Sequence, residues 1–360
     1  MRRLGNIFLA LALLMAVACE KRPLVDLCNT HYVRVYVDEQ ILNVTKGFYN
    51  EDYVRPLYDS PDVLRIVLAD PETGDVRAER FLRNRGEDER GVFYDGYIIA
   101  DPGTYTMMAY NFDTESTIIR ESNNHLNAKA YTNEIASHLR TKIASRAKRQ
   151  GKSGQASIPE RIVYDPDHLF ASNCGKVYVP YIENIDTLTT MEGEFFKASS
   201  IVKSYYLQIK VKGMEYATSS VGLMTGLSGS AWVNGTGMDE GDPVTVYFEM
   251  QPGESPAAGM VKSDDGESMT VYTTFSTFGK IPDAVNKLEI TFDFMTVYGE
   301  SHSETLDVTH VFATKEAVEN QWLLLDHTIE IPDPPPASGG GGGFSPGVDE
   351  WGDVNADITI

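Results

Sequence analysis

Cations are scarce in this 360-residue chain: 31 Lys and Arg stand against 52 Asp and Glu, for a net charge of −21. Nucleic-acid binding needs cations to displace the counterions condensed on phosphates. The balance therefore argues against nucleic acid as a partner, and against adsorption to anionic lipid. Cysteine is nearly absent, with residues at 19, 28 and 174 only. No apolar run reaches the ~20 residues that a membrane-crossing helix needs. Catalytic signatures are missing too. Histidines 31, 125, 138, 168, 302, 310 and 327 are scattered, and none falls in an HExxH or a Cys/His zinc spacing. No GxSxG elbow occurs. "RAKRQGKS" at 146–153 ends like a phosphate-binding loop, but Arg146 stands where the first glycine belongs and no apolar strand leads in. No catalytic residue, metal site or cofactor is expected.

The start of the chain is informative. Arg2 and Arg3 precede an apolar run from Ile7 to Ala18, the pattern of a secretory signal over residues 1–18. Ala16-Val17-Ala18-Cys19 fits a lipobox, in which Cys19 is acylated and becomes the new N-terminus. Ordinary cleavage after Ala18 is the alternative. Acyl chains contribute about 0.8 kcal/mol per buried CH₂, so a multiply acylated Cys19 would hold the protein to a membrane. Cys28 and Cys174 remain. An exported protein can join them in a disulfide; two buried free thiols are equally consistent with the sequence.

Strand patterns dominate the rest. "HYVRVYV" at 31–37 alternates. "VLRIVLADPETGDVRAERF" at 63–81 reads as a hairpin about the turn Asp70 to Asp75. "YIIADPGTYTMMAYNF" at 97–112 reads as a second, with Gly103 taking a positive φ after Pro102. At 130–157 the period changes: Ile135, Leu139 and Ile143 are helically spaced, with Asn133 as cap. Arg140, Lys142, Arg146, Lys148, Arg149 and Lys152 make this segment the one basic island, read as a solvated face or a docking patch. Strands resume at 204–214, 244–250, 269–275 and 286–312. In the last, Leu288, Ile290, Phe292 and Phe294 share one face. The chain divides into a lipidated linker 19–30, an N-terminal β-sandwich 31–168 that includes the basic segment, and a C-terminal sandwich of antiparallel strands at 169–331.

"PDPPPASGGGGG" at 332–343 opens a tether, 332–347, with a stiff proline part and a flexible glycine part. Residues 348–360 then alternate as a strand. Val354, Ala356, Ile358 and Ile360 face one way, and Trp351 interrupts the pattern as an anchor. Asp353, Asn355 and Asp357 imitate a calcium loop, but Ile358 occupies the position that needs glycine.

A lipobox followed by "DLCNTHYVRVYVDEQ", "PDVLRIVLADPETGDV", "FYDGYIIADPGTY", "MMAYNF" and "YYLQIKVKGMEYATSSVGLMTGLSGS" resembles the fimbrillin-related lipoproteins of Bacteroides-type bacteria. The N-terminal half resembles a family carried as a domain of unknown function. The later stretch resembles anchor and accessory subunits of donor-strand pili. The resemblance implies an all-β fold of two consecutive transthyretin-like Greek-key β-sandwich domains, with a short helical insertion between them. It also implies lipid attachment at the outer membrane, exposure at the cell surface, and pilin or other fimbrial subunits as partners through β-strand addition. The tether reaches up to roughly 50 Å, enough for a neighbouring subunit or for this protein's own sheet edge. A rival reading is a surface lipoprotein that captures glycan or host ligand through exposed aromatics; the 19 tyrosines permit it, although strands favour tyrosine anyway.

Overall fold

The computed structural model describes residues 30–38, 60–112, 114–141, 143, 160–172, 175–180, 196–250, 259–262, 267–282 and 288–334. The strands in the first half are β1 (Thr30–Asp38), β2 (Leu64–Ala69), β3 (Val76–Leu82), β4 (Asn84–Asp88), β5 (Gly91–Ile99), β6 (Gly103–Asn111), β7 (Thr117–Arg120), β8 (Lys129–Thr132), β9 (Arg161–Tyr164), β10 (Phe170–Ser172) and β11 (Gly175–Val179). The second half supplies β12 (Phe196–Ser200), β13 (Lys203–Lys212), β14 (Ala217–Ser228), β15 (Ser230–Trp232), β16 (Gly237–Met238), β17 (Pro243–Glu249), β18 (Gly259–Lys262), β19 (Ser268–Thr277), β20 (Glu289–Thr296), β21 (Ser301–Asp307) and β22 (Trp322–Glu330). The fold is all-β and built from sandwiches, as the strand patterns indicate.

The N-terminal sheet runs β3-β2-β6-β10-β12-β1-β5-β4, with β11 beside β6. It curls so that Val33, Val35, Tyr94 and Ile98 pack against Leu64, Ile66, Leu68 and Met107. Alternation turns Val67, Met108, Tyr110 and Ala171 to the opposite side. There they meet Ala128, Ala130, Ala231 and Val233 of a small sheet ordered β16-β15-β8-β7. The C-terminal sandwich has two sheets, β18-β19-β13-β22 and β21-β20-β14-β17-β9. Between them lie Leu207, Ile209, Val246, Phe275, Ile329 and the row Leu288, Ile290, Phe292 and Phe294. The opposite row is not uniformly exposed. Asp293 is buried and accepts hydrogen bonds from the hydroxyls of Ser301 (2.6 Å) and Ser303 (2.7 Å).

Three local expectations need correction. The segment 97–112 is not a hairpin: β5 pairs with β1 and β4, whereas β6 pairs with β2, β10 and β11. The Pro102 turn carries the chain across the sandwich, and Gly103 is absent from the positive-φ residues. By contrast, 63–81 is a true β2-β3 hairpin. Its Gly74 has φ of 79°. Asp70 Oδ1 accepts the N–H groups of Glu72 (2.9 Å) and Thr73 (3.1 Å). Those backbone donors, with the Arg77 guanidinium, lower the Asp70 carboxyl to about 2.

Second, Asn133 does not cap a helix. Helical residues begin at 137, and the Asn133 backbone bonds Ser116 and Tyr164 instead. The three apolar residues are nevertheless grouped: Ile135, ahead of the helix and donating its N–H to the Ile162 carbonyl, joins Leu139 and Ile143 in packing on Ile162, Tyr164, Val221, Leu223 and Tyr247. Third, the C-terminal sandwich is not purely antiparallel. β13 pairs with β22 in parallel, and β17 with β9 likewise. Pairing also crosses residue 168 in both directions. β9 joins the C-terminal sandwich, while β10, β11 and the later β12 join the N-terminal sheet. Strand periodicity reports which face is buried and carries no information about the partner.

Candidate interaction surfaces

The residues singled out at the chain ends, Cys19, Trp351, Val354, Ala356, Ile358 and Ile360, lie outside the described residues, as do Cys28 and Cys174. Of the basic island, Arg140 pairs with Glu134; Lys142, Arg146, Lys148, Arg149 and Lys152 also lie outside the described residues. Three other surfaces are defined atom by atom.

The first is the junction between β9 and β10, residues 165–169. Asp167 Oδ2 accepts three backbone N–H groups, from Glu115 (2.7 Å), Ser116 (2.5 Å) and Thr117 (3.0 Å). Ser116 Oγ donates to the Asp165 carbonyl at 2.9 Å and accepts the Asp167 N–H at 3.1 Å. Asn111 adds a clasp, accepting the Phe170 N–H at 2.7 Å and donating to the His168 carbonyl at 3.0 Å. Ser204 of β13 lies 3.3 Å from His168 Nε2 and 2.7 Å from Ser276 Oγ. The connection between the sandwiches is therefore stitched to both. Part of residue 165 reaches solvent, yet burial pushes its carboxyl up to about 6, against the opposing N–H of Ser276.

The second is the pair of sheet edges formed by β21 and β22. Each ends its sheet among the described residues. His327 of β22 and Glu304 of β21 meet at 2.6 Å across the gap. An edge strand offers unpaired N–H and C=O groups that can take another strand. The charges of Asp326 and Glu330 restrain indiscriminate pairing there.

The third is the outer face of β4, β5 and β1. Register sets Tyr97 beside Tyr32, Asp95 beside Arg34 and Phe93 beside Tyr36. The Tyr32 and Tyr97 rings meet edge-on, with centroids 5.5 Å apart. The Arg34 guanidinium lies 3.8 Å from the Phe93 ring centre. It donates to Tyr32 Oη from Nε (3.1 Å) and Nη2 (3.0 Å), and to Asp88 from Nη1 (3.1 Å). Tyr36 donates to Asp88 at 2.8 Å. Tyr32 and Asn84 both donate to Asp95. Burial raises the Tyr32 phenol, and the Asp95 carboxylate adds to that shift. The alternation of "HYVRVYV" puts Tyr32, Arg34 and Tyr36 on one face; what it lacks is β5, whose residues complete the array. Among the described residues, no group of His, Cys, Asp and Glu is arranged to hold a metal ion.

A family model described as a domain of unknown function, DUF5119, matches residues 58–249, more than half of the chain. The chain belongs to the DUF5119 family. The match runs past residue 168 to the end of β17, consistent with the strands exchanged across that point. This DUF5119 protein is also similar to a protein of Bacteroides ovatus, with 26% identity over 367 residues, covering 97% of this chain and 96% of the relative. That relative is named, by assignment, fimbrium anchoring subunit Fim4B. The fimbrillin-related resemblance is borne out at this level. Among solved structures, a candidate adhesin from Bacteroides ovatus is 18% identical, covers 88% of this chain and 98% of its own, and has a TM-score of 0.49. The fimbrial anchor protein Mfa2 from Porphyromonas gingivalis is 11% identical, covers 82% and 88%, and has a TM-score of 0.44.

Proposed function

We propose that this protein anchors a fimbrium at the cell surface, a structural and adhesive role without catalysis. The observation that carries the reading is the end-to-end match to a relative named as a fimbrium anchoring subunit, over 97% of this chain. An anchor must hold a membrane at one point and a filament at another. Acylated Cys19 fits the first task, placing the protein at the outer membrane with its bulk in water. Strand 348–360, delivered by the 332–347 tether, fits the second by pairing with the sheet edge of a neighbouring subunit, burying Val354, Ile358 and Ile360. The stitched junction at 165–169 suits a part that passes load between two sandwiches.

The test is a photo-crosslinking residue at Ile358 in the native host, resolved on a denaturing gel. The proposal predicts a shifted band that contains a fimbrial subunit. A crosslink confined to this chain would mean the tail closes its own sheet, and would remove strand donation from the account.

A further inference from the structure

The outer face of β4, β5 and β1 is chemically unusual for a sheet surface. Such faces are ordinarily polar and alternate with the core. Here Tyr97 is 52% and Ile99 57% exposed, and the same face carries Tyr32, Arg34, Asp95 and Asn84. The polar groups are held in place before any ligand arrives. Asp95 is fixed by Tyr32 and Asn84, and Arg34 by Tyr32, Asp88 and the Phe93 ring. Preorganisation removes the ordering cost that weakens binding by mobile side chains. Some acceptor capacity remains: a carboxylate has about four lone-pair sites, hydrogen bonds to Asp95 from Tyr32 and Asn84 fill two of them, and Arg34 Nη2 stands 3.6 Å from Oδ2.

We propose that this face binds a neutral oligosaccharide, with one sugar ring stacked on Tyr97 and its hydroxyls on Asp95 and Asn84, while Arg34 holds the array in place through Tyr32, Tyr36 and Asp88. A sugar ring has a C–H face that suits an exposed phenol, flanked by hydroxyls that both donate and accept. The array offers that combination: an exposed ring, an acceptor carboxylate and an amide with both capacities. Charge selects among sugars. Asp88 and Asp95 outnumber Arg34 on this face, and the chain as a whole carries −21, so sialylated and uronic sugars are disfavoured. A protein partner fits less well, because aspartate is depleted at protein interfaces and Asp95 and Asp88 belong to this face. The proposal does not rest on the anchoring role.

The experiment uses the intact chain against immobilised maltotriose, mannotriose and lacto-N-tetraose, with sialyllactose as the anionic comparison, followed by calorimetry on the best binder. The expected result is binding of at least one neutral sugar, weakened about tenfold or more by Tyr97→Ala and largely kept by Tyr97→Phe, which retains the ring. Tyr97 is exposed, so its variants should melt with the wild type, and the melting curve checks this. Absence of binding to all three neutral sugars overturns the proposal. So does binding that Tyr97→Ala leaves unchanged, or tighter binding of sialyllactose.

Discussion

Replacing Asp167 by alanine should loosen the junction between the sandwiches. One carboxylate oxygen accepts the N–H groups of Glu115, Ser116 and Thr117. The bonds from Ser116 and Thr117 are part-buried, whereas that from Glu115 is exposed and can turn to water. Two stranded donors at about 1–3 kcal/mol each give an expected loss of about 3 kcal/mol. Asp167→Asn keeps an acceptor oxygen and loses only the charge-assisted part, about 1 kcal/mol. Equilibrium urea unfolding measures the totals. Amide hydrogen exchange locates them, and should quicken across 114–132, which the clasp holds, well before 288–334. An alanine variant that costs less than about 0.5 kcal/mol, the range of an ordinary surface change, or that matches the asparagine variant, would refute the reasoning.

Two further outcomes follow from the same structure. Asp165 has a carboxyl near 6 when folded, against 3.8 for an unperturbed aspartate. The folded state therefore binds more protons in that window, and stability falls as pH rises through it. Asp165→Asn should flatten the fall in melting temperature between about pH 4 and 6 and stabilise at neutral pH, by at most about 3 kcal/mol; an unchanged pH slope would count against it. Gly222→Ala places a Cβ 2.2 Å from the Phe248 ring, which is buried and stacked on Phe275 at 4.8 Å. It should cost about 1–3 kcal/mol by overpacking. Gly175→Ala, with nothing within 4 Å, should be nearly neutral in the same melt, and equal effects at the two sites would contradict the packing argument.

Faces are legible in the sequence and partners are not. The row Leu288, Ile290, Phe292 and Phe294 reaches the interior its period indicates, and Leu139 and Ile143 pack inward from the helix while Ile135 does so from the chain ahead of it. The period of two fixes only the burial of alternate residues. It cannot say that β22 returns to lie parallel to β13, or that β9 leaves its neighbours for the other sandwich. The two turns make the same point. Asp70 to Asp75 closes a hairpin because the flanking strands pair, while the similar Asp101-Pro102-Gly103 turn joins strands with other partners. Gly222 stands in the stretch "SSVGLMTG", and its need for Phe248 overhead emerges only from the β14-β17 register. The junction acceptor Asp167 escapes sequence reasoning for a related reason. Its three donors sit about 50 positions earlier, and only the fold brings them together.

The anchoring claim is tested most directly by counting fimbriae on cells and in the medium for a strain lacking this chain, complemented with the wild type or with Cys19→Ala. The account predicts normal amounts of filament that are shed into the medium without the chain or with the alanine variant, and retained on the cell with the wild type. Filaments that stay attached in the strain lacking the chain would contradict it.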